Sequence, residues 1–177
     1  RDHSCAVQTD GTLWCWGSNG NGRLGVGDTT QRTSPTQVGS ATTWGALGLG
    51  DQHSCATRTD GTLWCWGANS GYQLGLGDTT DRTSPTQVGS ATTWSIPTGG
   101  DAFSCAGRTD GTLWCWGTNT TYRLGLGDTT TRTAPTQIGA LTSWSTPFTA
   151  GDHACAVRTA GTLWCWGTNS SGQLGLG

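Results

Sequence analysis

The sequence predicts an all-β chain. The fold expected is a β-propeller of four-stranded blades, each about 50 residues long, present as an arc of about three and a half blades. Three observations predict it. The chain repeats itself every 50 residues without insertion or deletion: cysteines fall at 5, 55, 105 and 155 and again at 15, 65, 115 and 165, and GTLWCWG returns unchanged at 11, 61, 111 and 161. The vocabulary belongs to strands and turns: 30 of 177 residues are Gly and 11 are Trp, while Met, Lys and Glu are absent. Helices use those missing residues freely. Each period also holds four short strand-like segments separated by turn-rich ones, the economy of a propeller blade.

The array reads as units 1–50, 51–100, 101–150 and a partial unit 151–177. In the first complete set the strands are expected at Trp44–Gly48, Ser54–Arg58, Thr62–Trp66 and Pro85–Val88, with GANSGYQLGLGDTTDRTS as the long turn before the last. Pro35, Pro85 and Pro135 open that last strand, where a missing N–H is tolerated at the outer edge of a blade. Pro97 and Pro147 fall in the first strand and weaken that assignment. On this reading the chain begins after the first strand of one unit and stops before the last strand of another, fourteen strands in all. It lacks an initiator Met and a recognisable signal peptide, and is read as a processed product or a piece of something longer.

The repeated hairpin fixes the thiols. Thr9-Asp10-Gly11 suits a three-residue loop, a type I turn followed by a left-handed residue, with Gly11 in the left-handed place. Gln8 then faces Thr12 and Cys5 faces Cys15 in a non-hydrogen-bonded pair, at a spacing that a disulfide accepts. A two-residue Asp-Gly turn would shift the register by one and set the cysteines diagonally; the repeated spacing favours the first register. The same arithmetic pairs Cys55 with Cys65, Cys105 with Cys115 and Cys155 with Cys165. Each bridge is expected to contribute roughly 2.5 to 3 kcal/mol by constraining the unfolded chain. Four of them imply an oxidising compartment, whether secreted, surface or periplasmic. The register puts Cys5, Val7, Leu13 and Cys15 on one face, and Trp14 and Trp16 on the other, opposite Ser4 and Ala6. The expectation is that Trp14, Trp16, Trp64, Trp66, Trp114, Trp116, Trp164 and Trp166 form the inter-blade core, the indoles of one unit on or near the bridge of the next. A ladder of indoles stacking sugars is the alternative.

Two segments carry a family resemblance. GTLWCWGSNGNGRLGVGD, residues 11–28, resembles the signature of the regulator of chromosome condensation repeats: a short strand ending in Trp-Gly, then Asn, then Gly-x-Leu-Gly. GDQHSCATRTDG, residues 50–61, resembles the segment just before it. The resemblance runs through all four units. It implies a propeller, usually of about seven blades, and functions that are mostly binding. Such proteins include nucleotide-exchange factors for small nuclear GTPases, chromatin binders and a bacterial inhibitor of β-lactamases. The exchange and chromatin roles depend on loops particular to those proteins. No matching basic arm or insertion occurs here, so neither role carries over. The cysteine pair resembles the version found in bacterial and other extracellular relatives. The chain has about half the residues that seven blades need, so it is read as a fragment of a longer array, an open arc completed by other chains, or a segment of a fibre.

Other functions find little support. Charged residues are 11% and the net charge is −2, which leaves no footprint for nucleic acid or an anionic membrane. No apolar run is long enough to span a bilayer. His3, His53 and His153 share a face with the cysteines and invite a zinc reading, but Phe103 breaks the series. A His bonding a neighbouring backbone group is preferred. Asp28, Asp78 and Asp128 read as turn caps, and Asp10, Asp60 and Asp110 as hairpin residues replaced by Ala160 in the last unit. No acid–base pair, nucleophile elbow or triad spacing appears, so neither an enzyme nor a cofactor is expected. Asn119 and Asn169 open glycosylation sequons in an expected surface loop, and the Thr-rich turns could carry O-linked sugars. The function expected is an extracellular structural or interaction scaffold whose partners are copies of itself or further repeats. The alternative is a module holding a protein or glycan on one propeller face; an enzyme using a central channel is the remote one. Segments 18–23 and 45–50 vary most between units and are the places to seek a specific contact.

Overall fold

The structure is a computed structural model that describes residues 2–176; Arg1 and Gly177, at the ends of the first and last units, lie outside it. The described residues form fourteen strands: β1 (His3–Val7), β2 (Leu13–Gly17), β3 (Arg32–Gln37), β4 (Trp44–Leu49), β5 (His53–Arg58), β6 (Leu63–Gly67), β7 (Arg82–Gln87), β8 (Trp94–Gly99), β9 (Phe103–Arg108), β10 (Leu113–Gly117), β11 (Arg132–Gln137), β12 (Trp144–Ala150), β13 (His153–Arg158) and β14 (Leu163–Gly167). They make four antiparallel sheets, ordered β1-β2-β3, β4-β5-β6-β7, β8-β9-β10-β11 and β12-β13-β14. The fourteen strands thus fall into four blades: two complete, a first without its innermost strand and a last without its outermost. The first strands of successive blades touch, β4 on β8 and β8 on β12, and line the axis. Gly48 makes that approach possible, because a Cβ there would run into the Pro97 backbone.

The hairpin adopts the three-residue loop. Gln8 N–H donates to the Thr12 carbonyl and Gly11 N–H to the Gln8 carbonyl, each at 2.9 Å, and Gly11 takes φ of 80°. Ala6 faces Trp14 and Cys5 faces Cys15. The turn also binds the following blade: Trp44 N–H donates to the Gly11 carbonyl at 3.1 Å.

The outer strand differs from its sequence expectation. It begins at Arg82 and ends at Gln87, so Pro85 sits inside it rather than opening it. Gly67 faces Arg82 and Cys65 faces Thr86, with a bulge between them. Pro85 lies in that bulged stretch of an edge strand, where no ladder bond calls for its N–H. Pro97 and Pro147 do sit in first strands, opposite Ala106 and Ala156. Those strands have one edge on the axis, so a missing donor there breaks nothing.

Candidate functional site

The repeated structure that can act is the junction between blades. Its first component is the bridged hairpin. Cys5–Cys15, Cys55–Cys65, Cys105–Cys115 and Cys155–Cys165 are all joined, with Cα atoms 4.0 to 4.1 Å apart, and no described cysteine is free. No thiolate therefore remains to ligate zinc, and the described residues contain no cluster of three or more metal-type ligands.

The second component is the indole face. Trp66 packs with Leu13, Cys15, Leu24 and Val38 of the first blade, and Trp116 with Cys55, Cys65, Leu74 and Val88 of the second. The indoles thus meet the bridge of the blade before them, not the one after. Backbone chemistry sets this direction. Trp66 Nε1–H donates to the Arg23 carbonyl at 3.0 Å, Trp116 to Gln73 at 2.9 Å and Trp166 to Arg123 at 3.0 Å. Each acceptor lies in the long loop of the preceding blade. Gly25 and Gly75 let that loop lie against Trp66 and Trp116, where a Cβ would strike the indole. Trp44 completes the packing, edge-on to Trp64 and Trp66 at 6.4 and 6.0 Å.

The Trp residues expected in the inter-blade core do not all reach it. Trp66 and Trp116 are buried, Trp64, Trp114 and Trp166 half-buried, and Trp164 is 51% exposed. Trp14 and Trp16 belong to the first blade, and no described blade precedes them. Trp164 lacks the outer strand that covers its equivalents.

The third component is a polar thread. His3 Nε2 lies 2.9 Å from Ser54 Oγ, and His53 Nε2 lies 2.7 Å from Ser104 Oγ. Each hydroxyl gives its one proton to a loop carbonyl, Ser54 to Arg23 and Ser104 to Gln73. The ring nitrogen must therefore be the donor, which fixes Nε2–H. The expectation of a His bonded to backbone is corrected: the ring bonds a serine of the next blade, and that serine relays to the backbone.

Besides the hairpin aspartates, two sets of acidic residues stand out. Asp28 accepts from Thr30 N–H at 2.8 Å and pairs with Arg32 at 2.6 Å; Asp78 and Asp128 repeat this with Arg82 and Arg132. The Arg hydrogen bond, followed by the backbone N–H, holds these carboxyls below the usual aspartate range. Asp51 and Asp152 both come within electrostatic reach of Asp101, which the sequence reading did not foresee. Burial first, then Asp152 and Asp51, push Asp101 upward, while Arg123 opposes them. Arg123 also pairs with Asp152 at 2.7 Å. The variable segment 18–23 touches the next blade: Asn21 Nδ2 donates to Asp81 at 2.9 Å and Arg23 to the Asp51 carbonyl at 3.2 Å. Segment 45–50 forms most of β4 at the axis.

The Asn119 sequon is corrected. Asn119 is buried, and its Nδ2 donates to the Asp128 and Thr130 carbonyls at 2.7 and 3.2 Å. An amide so placed has no room for a sugar. Asn19 and Asn69 hold their loops in the same way, so recurrence of Asn nine residues before Asp was the signal in the sequence. Asn169 is exposed, and its Oδ1 accepts from Leu174 N–H at 2.9 Å.

Comparison with known proteins agrees with this geometry. A family profile described as "Regulator of chromosome condensation (RCC1) repeat" matches residues 10–57, 60–106 and 110–157, and a second of the same description matches 46–73 and 151–173. The chain belongs to the regulator of chromosome condensation repeat family. Among solved structures, human WBSCR16 superposes with a TM-score of 0.90 at 23% identity, covering 100% of this chain and 48% of that one. Yeast RCC1 (Prp20), in its complex with Kap60, gives 0.89 at 20% identity, covering 100% and 44%. A second structure of Prp20p from Saccharomyces cerevisiae gives 0.90 at 20%, covering 100% and 46%. This likeness shows the repeat-propeller fold, and the chain spans less than half of each of those proteins. No curated protein matches it significantly.

Proposed function

We propose that this chain is an interaction scaffold for an oxidising compartment outside the cytoplasm, whose blades stack on further blades of its own kind, from a second copy or from more repeats. One observation carries the reading. Leu13, Leu63 and Leu113 are fully buried beneath the next blade, whereas Leu163, at the same place on the last blade, is 65% exposed. The opposite face is open on the first blade, where Ser4 and Ala6 are exposed although Ser54 and Ala56 are buried. The chain thus presents both halves of an interface that it forms three times within itself, and such head-to-tail contacts generate rings or filaments. The four disulfides fit the compartment.

Sedimentation of the unreduced chain over a wide concentration range tests the stacking. Oligomers that grow with concentration and are lost in Leu163→Asp support it. A chain that stays monomeric throughout removes the self-stacking part. The second reading, a module that holds a protein, draws on the relatives, since the yeast structures are described with Kap60, Gsp1p and histones. Membrane insertion through a helix is not part of either reading, for no described helix is long and apolar enough to cross a bilayer.

A further inference from the structure

We propose that the two grooves between complete blade junctions each bind a carboxylate side chain of an extended acidic peptide. The proposal rests on the reading of the chain as an interaction scaffold and names where a partner segment sits. The grooves enclose about 300 and 280 Å³. The first is lined by Val38, Ser40, Ala41, Trp44, Arg58 and Pro85, the second by Val88, Ser90, Ala91, Trp94, Arg108 and Pro135. They are the same site, one unit apart.

The arginine gives the groove its chemistry. The Arg58 guanidinium lies over Trp64 at 4.0 Å and Trp44 at 4.8 Å, and that of Arg108 over Trp114 at 4.0 Å and Trp94 at 4.3 Å. Two indoles hold each cation in place. Its Nε is buried without a hydrogen-bond partner. The neighbouring Asp60 and Asp110 act on these arginines through space, while Oδ1 of each accepts from Thr62 or Thr112. Burial, the larger effect, depresses the Arg108 pKa against the pull of Asp110. A half-buried guanidinium held over two indoles beside an open groove, with hydroxyls and apolar walls around it, fits a planar carboxylate on a short aliphatic stem. A sugar acid fits less well, because Trp44 and Trp94 are only 4% exposed and offer no open face for a ring.

The last junction is an internal contrast. Among the described residues its blade has three strands, β12, β13 and β14, and no outer one. There Arg158 Nε donates to Ser143 Oγ at 2.9 Å, where the other units have Thr43 and Thr93. The site is therefore built by closure of the outer strand, and Arg158 is not expected to take a ligand.

The test titrates N-acetyl tetraglutamate amide into the unreduced chain at low salt and follows the indole N–H signals, with a tetralysine amide as control. Saturable binding of the glutamate peptide alone is expected, with shifts at Trp44 and Trp94 and little at Trp144. Arg58→Gln/Arg108→Gln should weaken it about tenfold or more, and Arg158→Gln should leave it within about twofold. Near-UV circular dichroism and a count of intact bridges establish that the variants fold; if the double variant does not, the map of shifts in the parent chain decides. Three results overturn the proposal: no saturation by millimolar peptide, shifts confined to other indoles, or binding of tetragalacturonate where the peptide fails. Sedimentation of the same samples reports stacking separately, so loss of one property is told apart from loss of the other.

Discussion

Gly11, Gly61, Gly111 and Gly161 share one hairpin position, with φ between 77° and 81°. Their surroundings differ. A Cβ on Gly61 would collide with the Thr92 carbonyl of the next blade, whereas one on Gly161 meets nothing. Gly161→Ala therefore carries the left-handed backbone cost alone, about 1 kcal/mol, and Gly61→Ala adds a backbone clash, for a total of about 2 to 4 kcal/mol. Thermal melts of the two variants should show the larger drop in Gly61→Ala; equal drops would mean that the turn does not meet its neighbour. A second residue-scale expectation concerns Asn119. In folded chain made by a glycosylating host, peptide mapping should find Asn119 bare, since its amide protons are already donated. A sugar at Asn119 on folded material would contradict the packing.

Within each of the first three hairpins, one aspartate ties the turn: Asp60 Oδ1 accepts from Thr62 Oγ1 at 2.6 Å and from Thr62 N–H at 3.0 Å. Those bonds, the side-chain one first, lower its pKa below 3.8, and Asp10 and Asp110 behave alike. A carboxyl lowered on folding stabilises the chain fully above its unfolded value, and that contribution is lost as pH falls below 3.8 through the folded value. Stability measured across the acid range should therefore fall below pH 4, and less steeply in Asp10→Ala/Asp60→Ala/Asp110→Ala, whose turns then resemble the natural Ala160 turn. The hairpin was the most legible element, because Thr-Asp-Gly fixes the loop and the loop fixes the cysteine register. Burial now separates the four bridges: Cys55, Cys65, Cys105 and Cys115 are fully covered, Cys5–Cys15 is covered at Cys15 alone, and Cys155 and Cys165 are both half-open. Mild reductant with alkylation and mass analysis should open the Cys155–Cys165 bridge first. The direction of stacking was not legible, because the acceptors for Trp66 and Trp116 are backbone carbonyls 43 residues earlier, which no side chain announces. The outer strand was misplaced by three residues at its start because its bulge hides Arg82 from a pattern of alternation. The groove arginine was hidden as well: as the residue before the turn it looks solvated, until the next indole is placed against it.

Across the whole molecule, stability should be graded rather than uniform, since each blade draws its cover from its neighbours. Hydrogen exchange should find β5, β6, β9 and β10 slowest and β1 and β14 fastest; a flat profile would point instead to a single cooperative body. The clearest whole-molecule signal in the sequence was the invariant spacing, and the structure explains why that spacing tolerates no slip. His3 reaches Ser54, His53 reaches Ser104 and Thr98 reaches Thr149, each 51 residues along. Each such link runs from one unit to the place one residue past its equivalent in the next. A gene that gained or lost one whole unit by unequal crossing-over would therefore encode a chain in which most surviving contacts find a substitute at the same spacing, although Phe103 and Ala154 replace the His and Ser at one junction. The architecture lends itself to heritable change in length, and an exchange out of phase by even one codon would be rejected at the first junction it met.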